Sequence, residues 1–271
     1  MSRKNWPSEK IFARLLNNKT KKTYWDNISE LRRRPDQSVF KKAHDLAKSN
    51  IDSHKIIGLD VLQQLGFAPR FNKNQTVQLH FELLAEPQSN KVFRSIFYGI
   101  GHNNDDLSKN QVSKLTEFKT LKDLDVKHAL ISAISGIENS NAINLLIEFT
   151  EHQTSSIRNW ATFGIGTLIE LDNREIRDAL WKRVDDADFE TKSEAIVGLA
   201  NRKDMKVKEI IISELKNGNY GTLLFGAILT LDDKDFLPLL NEILKNAKIS
   251  ENNFTNGWVL ALEGTIQQLE I

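Results

Sequence analysis

Residues 157–166 read IRNWATFGIG, and this stretch decides the fold. With Ile157 as position 0, a basic residue stands at position 1, apolar residues at positions 4 and 8, and small residues at positions 7 and 9. The same frame recurs, with some variation at position 1, at residues 92–101, 126–135 and 191–200, so that its starts lie 34, 31 and 34 residues apart. Self-similarity at a near-constant period of this length is typical of repeat architectures.

The frame predicts a helix, because positions 0, 4, 7 and 8 share one face when about 3.6 residues make a turn. A second amphipathic stretch precedes the frame, most clearly at 142–149, 176–184 and 207–215. We name the preceding helix of each pair the A helix, and the helix that carries the frame the B helix. One pair alone cannot bury its apolar stripe, whereas stacked pairs bury it continuously. We therefore expect an all-α fold, a right-handed α-solenoid (superhelix) of about six or seven helix pairs.

The composition of the 271 residues agrees with long helices. Only 13 glycines and 5 prolines are present, and these are the residues that turns consume. Without cysteine, the chain has no disulfide, thiolate nucleophile or cysteine-ligated metal. No apolar run approaches the roughly 20 residues of a membrane span, and the polar first 22 residues lack the apolar core of a signal peptide. We expect a cytoplasmic protein that does not bind membranes.

Charge is distributed unevenly along the chain. Residues 1–34 contain ten Lys or Arg and three Asp or Glu, a net charge of +7, while residues 35–271 contain 27 and 33, a net charge of −6. Residues 1–35 are therefore predicted to form a basic N-terminal helical cap that ends at Pro35. Residues 36–271 are predicted to form the repeats, continuous with the cap as one domain. The basic cap suits an acidic partner or a phosphate, and a simply solvated helix pair would explain it as well.

Three stretches resemble a known family: SIRNWATFG at 156–164, EIRDAL at 175–180 and SEAIVGLA at 193–200. They resemble the HEAT-repeat proteins, in particular the short bacterial HEAT-like type that is also found in phycobilisome bilin lyases. They are similar to bacterial HEAT-repeat proteins without an assigned activity. The resemblance covers about residues 36–235 and implies HEAT-like helix pairs. It implies little about activity, since a solenoid carries many different functions.

Sequence motifs for catalysis and for metal binding are missing. The six histidines form no HxxH or HExxH pair, and there is no GxxxxGK[ST] or GxSxG motif. The spacing Asp123-x-Asp125-x-Lys127 is seen in metal-dependent nucleases, but here it falls in a turn between helices, where N-capping is expected. The predicted N-caps are Asp125, Ser155, Asp188 and Asp235. We predict no enzymatic activity, no catalytic residue, no metal site and no cofactor.

Two sets of B-helix side chains are assigned opposite roles. The basic residues at position 1 (Lys127, Arg158 and Lys192) are expected to pair with acids in the turns of the neighbouring repeat. Positions 2, 5 and sometimes 6 are expected to face solvent on the concave surface. They supply a predicted partner-binding set, which consists of Arg94, Tyr98, His128, Asn159, Thr162 and Phe163. Aromatic and polar side chains in this mixture suit recognition, although Phe163 and the flanking Trp160 would also fill core between repeats.

The leading hypothesis is a non-enzymatic scaffold or adaptor that binds a partner on its concave B-helix surface. The partner would be another protein, basic or neutral because the repeats are acidic, and the chain itself a monomer or weak homodimer. The alternative is a HEAT-like nucleic-acid-binding protein or a relative of the alkylpurine DNA glycosylases, with Trp160, Trp181 and Asp185 or Asp186 at the lesion. Nucleic acid is disfavoured, because phosphate contacts need a basic face. A bilin-lyase role and a toxin-neutralising immunity role stay open without a residue signal.

Overall fold

The computed structural model describes residues 3–218, 221–249 and 255–271, so Met1 and Ser2 of the predicted cap lie outside it. Every regular element within these ranges is a helix, which confirms the all-α prediction. Packing divides the chain into two compact units, Met1–Ala142 and Ile143–Ile271. The predicted arrangement of a cap up to residue 35 followed by one continuous domain stays a prediction.

The first unit consists of consecutive helix pairs. Its helices are α1 (Ser8–Leu16), α2 (Lys21–Arg32), α3 (Gln37–Ala47), α4 (Asp52–Leu62), α5 (Lys73–Leu84), α6 (Asn90–Gly101), α7 (Lys109–Thr116) and α8 (Leu124–Ile134), after which α9 (Ser140–Phe149) begins. Each even-numbered helix packs against the helix before it. The even-numbered helices also stack on one another, α2 on α4, α4 on α6 and α6 on α8. They are the B helices, and the predicted frames at 92–101 and 126–135 coincide with α6 and α8.

The second unit repeats this arrangement. Its helices after α9 are α10 (Ser155–Gly166), α11 (Arg174–Trp181), α12 (Phe189–Asn201), α13 (Val207–Lys216), α14 (Thr222–Leu231), α15 (Leu237–Ile249) and α16 (Asn256–Glu270). The B helices stack α10 on α12, α12 on α14 and α14 on α16, while α11, α13 and α15 each pack on the B helix that follows. The coarse prediction of stacked helix pairs is therefore confirmed within each unit.

Small residues bring the stacked B helices into backbone contact. A Cβ atom on Gly198, at position 7 of α12, would lie 2.7 Å from the Cα of Gly166, at position 9 of α10. Likewise, a Cβ on Gly101 in α6 would lie 2.7 Å from the carbonyl oxygen of Ser132 in α8. Such contacts leave no room for a side chain. The small residues of the frame are therefore required by the stacking of helices, and not by the turns.

The same close contact brings the C-terminal carbonyls of two B helices within reach of one side chain. The buried guanidinium of Arg202 donates from Nη1 to the carbonyl oxygens of Gly166 and Gly198, at 3.0 and 2.9 Å. In the first unit Asn103 plays the same part between α4 and α6, a different pair from the one that Gly101 brings together. Its Nδ2 donates to the carbonyl oxygens of Gln63 and Gly99, at 3.0 and 2.7 Å. Both donors stand four residues after the position-7 glycine. They satisfy carbonyls that a helix end otherwise leaves unpaired.

Three of the four predicted N-caps lie one or two residues away from the observed positions. Asp188 caps α12 as predicted, because its carboxylate accepts from the backbone N–H of Thr191. Asp123, and not Asp125, caps α8 and accepts from Val126 N at 3.0 Å. The N-cap positions predicted at Ser155 and Asp235 are occupied by Thr154 and Asp233. Asp123 thus has a structural role, as expected for an acid in this turn.

Replacing Gly198 with alanine tests the backbone contact. The new Cβ must push α10 and α12 apart, so we expect the free energy of unfolding to fall by about 1–3 kcal/mol. A Cβ atom on Gly226, inside α14, would have no neighbouring atom within 4 Å, and Gly226→Ala should instead stabilise by about 0.5–1 kcal/mol. Urea unfolding followed by circular dichroism measures both. Equal stabilisation by the two substitutions would show that the helices do not touch at Gly198.

Candidate partner-binding surface

The B helices leave only a narrow exposed strip. Position 5 is buried in four successive repeats, where Phe97, Ile131, Thr162 and Ile196 are at most 1% exposed. The expectation that position 5 faces solvent is therefore wrong. At about 100° per residue, position 5 lies between positions 1 and 9 on the helix surface, and position 9 is where α10 contacts α12. Position 6 is at least partly exposed in all four frames. Position 2 is exposed at Arg94 but buried at Ser193, and position 3 is exposed at Trp160 but buried at Ser95 and Ala129.

Thr162 consequently drops out of the predicted partner-binding set. Its side chain is completely buried, and its Oγ1 donates to the carbonyl oxygen of Arg158 at 2.7 Å. A hydroxyl bonded back to the preceding turn of its own helix is satisfied locally. The residue fills the interior of the second unit and offers nothing to a partner.

In the first unit, the predicted residues Arg94 and Tyr98 form an exposed row on α6. They stand one helical turn apart, and Tyr98 is 37% exposed. Arg94 Nη1 lies 3.4 Å from Asp125 Oδ2 at the start of α8. Partial burial and the nearby Asp125 raise the pKa of Tyr98, and Arg94 opposes this shift. His128 is half-buried on α8. This row presents a phenol beside an exposed ion pair.

In the second unit, the exposed strip of α10 carries two aromatic rings. Trp160 is 52% exposed, and its ring meets that of Phe163 edge to face, with centroids 5.9 Å apart. Phe163 is half-buried. The sequence pattern places Trp160 on the flank of the helix, outside the predicted set. Its position 3 lies next to position 6 on a helical wheel, and this neighbour relation to Phe163 is the signal that could have identified it.

Two carboxylates of α12 are hydrogen-bonded to the residues four positions before and after Phe163. Asn159, Phe163 and Thr167 stand at successive four-residue steps along α10. Asn159 Nδ2 donates to Glu190 at 3.1 Å, and Thr167 Oγ1 donates to Glu194 at 3.5 Å. The ring of Phe163 therefore lies on the row between these two links.

The electrostatics of this region favour an incoming positive charge. Burial and the nearby Glu190 raise the pKa of Glu194, against the lowering effect of the Thr167 hydroxyl. Within the described residues, Asn159 Oδ1 is buried without a hydrogen-bond partner. We call the set of Asn159, Trp160, Phe163, Glu190 and Glu194 the aromatic–acid patch.

The basic residues at position 1 hold neighbouring repeats together. Arg158 makes a two-pronged ion pair with Asp186, from Nε at 2.8 Å and from Nη2 at 2.7 Å. Lys192 Nζ lies 3.0 Å from Glu214 on α13. The expected pairing with an acid in a turn of the next repeat is confirmed for Arg158, while Lys192 pairs with an acid inside the next A helix. Lys127 donates to the carbonyl oxygen of Lys119 at 2.8 Å.

Two of the residues considered for a glycosylase-like site, Trp181 and Asp186, have structural partners. Asp186 also accepts from Arg183 at 3.2 Å, and its side chain is only 3% exposed. Trp181 Nε1 donates to Asp204 at 3.0 Å. An acid that already accepts from two arginines is poorly suited to activate a nucleophile.

A buried polar network in the first unit connects α2 to α4. The hydroxyl of Tyr24 donates to Asp60 Oδ2 at 2.7 Å, and Gln63 Nε2 donates to Asp60 Oδ1 at 3.1 Å. Arg32 donates to the backbone oxygen of Asp60 from Nε and Nη2. Burial raises the pKa of Asp60, and the Tyr24 hydrogen bond opposes this shift.

A buried histidine lies on α5 of the same unit. Burial lowers the pKa of His80 to about 3, so this histidine is neutral near pH 7.

Two further findings concern the described part of the chain as a whole. No group of three His, Cys, Asp or Glu side chains in it is arranged to hold a metal ion. None of its helices combines the length and the apolar character that a membrane crossing requires.

Removing the carboxylate charge of Asp186 tests whether its ion pair with Arg158 holds neighbouring repeats together. Asp186→Asn leaves Arg158 without its ionic partner, and we expect about 3 kcal/mol of destabilisation at neutral pH. Asp178, in an exposed pair with Arg174, is the control, and Asp178→Asn should change stability by less than about 1 kcal/mol. Urea unfolding at pH 7 compares the three proteins. If Asp186→Asn lowers the free energy of unfolding no more than the control does, the ion pair does not stabilise the stacking of repeats.

The pH dependence of the same comparison follows from the pKa of Asp186. Burial raises this pKa, but the hydrogen bonds from Arg158 and from the backbone of Asp188 outweigh burial and leave it below its usual value. A depressed carboxyl pKa stabilises the fold above the unfolded pKa of about 4. That stabilisation is lost as pH falls through the folded value. The difference between wild type and Asp186→Asn should therefore shrink below about pH 4.

Stacked helix pairs with an exposed strip along the B helices define a helical-repeat protein. No protein-family model matches the chain. Protein YibA of Escherichia coli strain K12 and that of strain O157:H7 are each 36% identical to it over 132 residues, which is 49% of this chain and 46% of the relative. This chain thus aligns with about half the length of the curated relatives. The X-ray structure of Escherichia coli YibA superimposes with a TM-score of 0.70 and 23% identity, over 97% of this chain and 93% of that one. This likeness shows a shared fold.

Proposed function

We propose that this chain is a non-enzymatic scaffold that binds another protein through the exposed strips of its B helices. The observation that carries the proposal is the exposed ring of Trp160 packed against the half-buried ring of Phe163, on the helix face next to Glu190 and Glu194. Tryptophan is among the residues that contribute most to binding energy when a partner covers them. Its ring is exposed on the second unit and is therefore available to a partner.

The chemistry of the aromatic–acid patch defines the kind of partner. Two carboxylates next to aromatic rings suit an arginine or lysine side chain, which would pair with an acid and lie over a ring. The acidic balance of residues 35–271 points in the same direction, since it repels polyanions. The partner we propose is a protein that presents a basic side chain flanked by apolar ones. In the first unit, Arg94, Tyr98 and His128 offer a second, smaller contact area.

The proposal includes finer points that are expected from the sequence. The helix pairs are of the HEAT-like type, supported by the frame that recurs every 31–34 residues. A right-handed solenoid of about six or seven pairs, a cytoplasmic location and a monomer or weak homodimer complete the proposal. The glycosylase-like alternative stays a prediction. Binding to a DNA duplex at low salt would support it, and the absence of such binding would dispose of it.

Binding assays with variants of the patch test the proposal. Tagged wild-type protein is used to capture partners from a lysate of the source organism, and each captured protein is then purified and titrated. Trp160→Ala and the double variant Glu190→Gln/Glu194→Gln should each weaken binding of the true partner by about tenfold or more. The effect of the glutamine variant should diminish at high salt, because it removes a charge interaction.

Trp25→Ala is the matched control for this assay. Trp25 is also exposed, and its ring also meets a neighbouring aromatic ring, that of Tyr24, edge to face. It lies on α2, far along the chain from the patch, so its loss should leave affinity within about twofold. If every captured protein binds Trp160→Ala and wild type equally well, the patch is not the binding surface.

A further inference from the structure

The basic cap contains a cavity that the scaffold function does not use. The residues around α1 and the start of α2 enclose a cavity of about 370 Å³, which is lined by Arg3, Trp6, Arg14, Lys19 and Asn27 together with further Asn and Thr side chains. None of the described residues that line it is acidic. The volume falls within the range of about 300–1,000 Å³ that is usual for small-molecule sites.

The cavity carries positive charge that is not neutralised nearby. Arg3 forms an ion pair with Asp26 at 3.2 Å. Arg14 and Lys19 form no ion pair with any residue in the described ranges of the chain. They belong to the segment of residues 1–34 with a net charge of +7. Two unpaired cations in one acid-free cavity favour an anion with more than one negative charge.

A buried side chain supplies an oriented hydrogen-bond donor to the same cavity. Asn27, in the middle of α2, is 3% exposed. Its Oδ1 accepts from Arg3 Nε at 3.0 Å, which leaves the amide nitrogen as the unused end. No described residue accepts a hydrogen bond from that nitrogen. That nitrogen is therefore available to donate to an acceptor on a bound ligand.

A second unpartnered donor lines the cavity. Trp6 Nε1 is buried and has no acceptor in the part of the chain that the structure describes. The Lys10 ammonium group and the Arg14 guanidinium lie over its ring, at 4.5 and 5.8 Å from the centroid. The cavity wall also includes Thr20, the N-cap of α2, and a helix N-terminus adds a partial positive charge. All these features favour the same kind of ligand.

We propose that the cap binds a phosphate monoester of a small molecule. Such a group carries about −1.5 to −2 charges near neutral pH and three acceptor oxygens, which matches two unpaired cations and two unpartnered N–H donors. Its oxygens accept from Asn27 Nδ2 and Trp6 Nε1, while Arg14 and Lys19 balance its charge. The organic part occupies the remaining volume beside the indole ring of Trp6.

Nuclear magnetic resonance of the tryptophan indole N–H groups tests this proposal directly. The chain has five tryptophans, and Trp6→Phe assigns the resonance of Trp6. Titration with phenyl phosphate should shift this resonance in a saturable manner, inorganic phosphate should shift it more weakly, and phenol should not shift it.

Variants separate a built site from a generally basic surface. Arg14→Gln/Lys19→Gln should weaken the affinity for phenyl phosphate by about tenfold or more. Asn27→Asp, which replaces the N–H donor with a carboxylate, should abolish binding although both cations remain. Lys21→Gln/Lys22→Gln removes the same charge from exposed positions of the same cap, and it should change the affinity by less than about twofold. Circular dichroism verifies that each variant is folded.

Three outcomes would overturn the proposal. The first is the absence of a saturable shift of the Trp6 resonance. The second is a loss of affinity in Lys21→Gln/Lys22→Gln that equals the loss in Arg14→Gln/Lys19→Gln. The third is a single-stranded oligonucleotide that displaces phenyl phosphate and binds more tightly, which would make the site a contact for a nucleic-acid backbone. None of these outcomes depends on whether the aromatic–acid patch binds a protein.

Discussion

The stacking of B helices at backbone distance is the constraint on which the rest of the structure depends. Gly166 and Gly198 allow α10 and α12 to touch, and Gly101 allows α6 to approach α8 in the same way. Helices this close bring their C-terminal carbonyls together, and a donor must then serve both ends. Arg202 is that donor for α10 and α12, and Asn103 has the same role between the end of α4 and α6. The small residues of the frame allow the close approach of the helices, and the donors four residues after position 7 satisfy the carbonyls that this approach brings together.

The same stacking divides the polar side chains of the B helices into two classes. Position 1 points toward the neighbouring repeat, and the pair of Arg158 and Asp186 there is buried. Position 2 lies at the edge of the exposed strip, where Arg94 pairs with Asp125 in solvent. Position 1 thus holds neighbouring repeats together at Arg158, whereas the partly exposed side chains lie at position 6 and, in some frames only, at positions 2 and 3. Trp160 and Phe163 occupy that strip in the second unit.

Two cations near the N-terminus differ from the paired cations of the later helices. Arg158 and Lys192 are balanced by Asp186 and Glu214. Arg14 and Lys19 line a cavity without acids, next to the unpartnered donors of Asn27 and Trp6. Charge that is paired stabilises a fold, and charge that is left unpaired around a cavity is available to a ligand. The two proposed binding sites therefore have opposite sign.

The sequence by itself determined the helices, their pairing and the positions of the small residues, because a period of about 3.6 residues is a local property of the chain. It also indicated the paired role of Arg158 and Lys192. The tertiary structure alone decided that Thr162 is buried, that Trp160 is exposed and that Asp123 rather than Asp125 caps α8. Burial depends on how many neighbours surround a helix. A helix with one apolar face can pack against one other helix or against three. Only the packing decides which of its remaining positions are exposed to water.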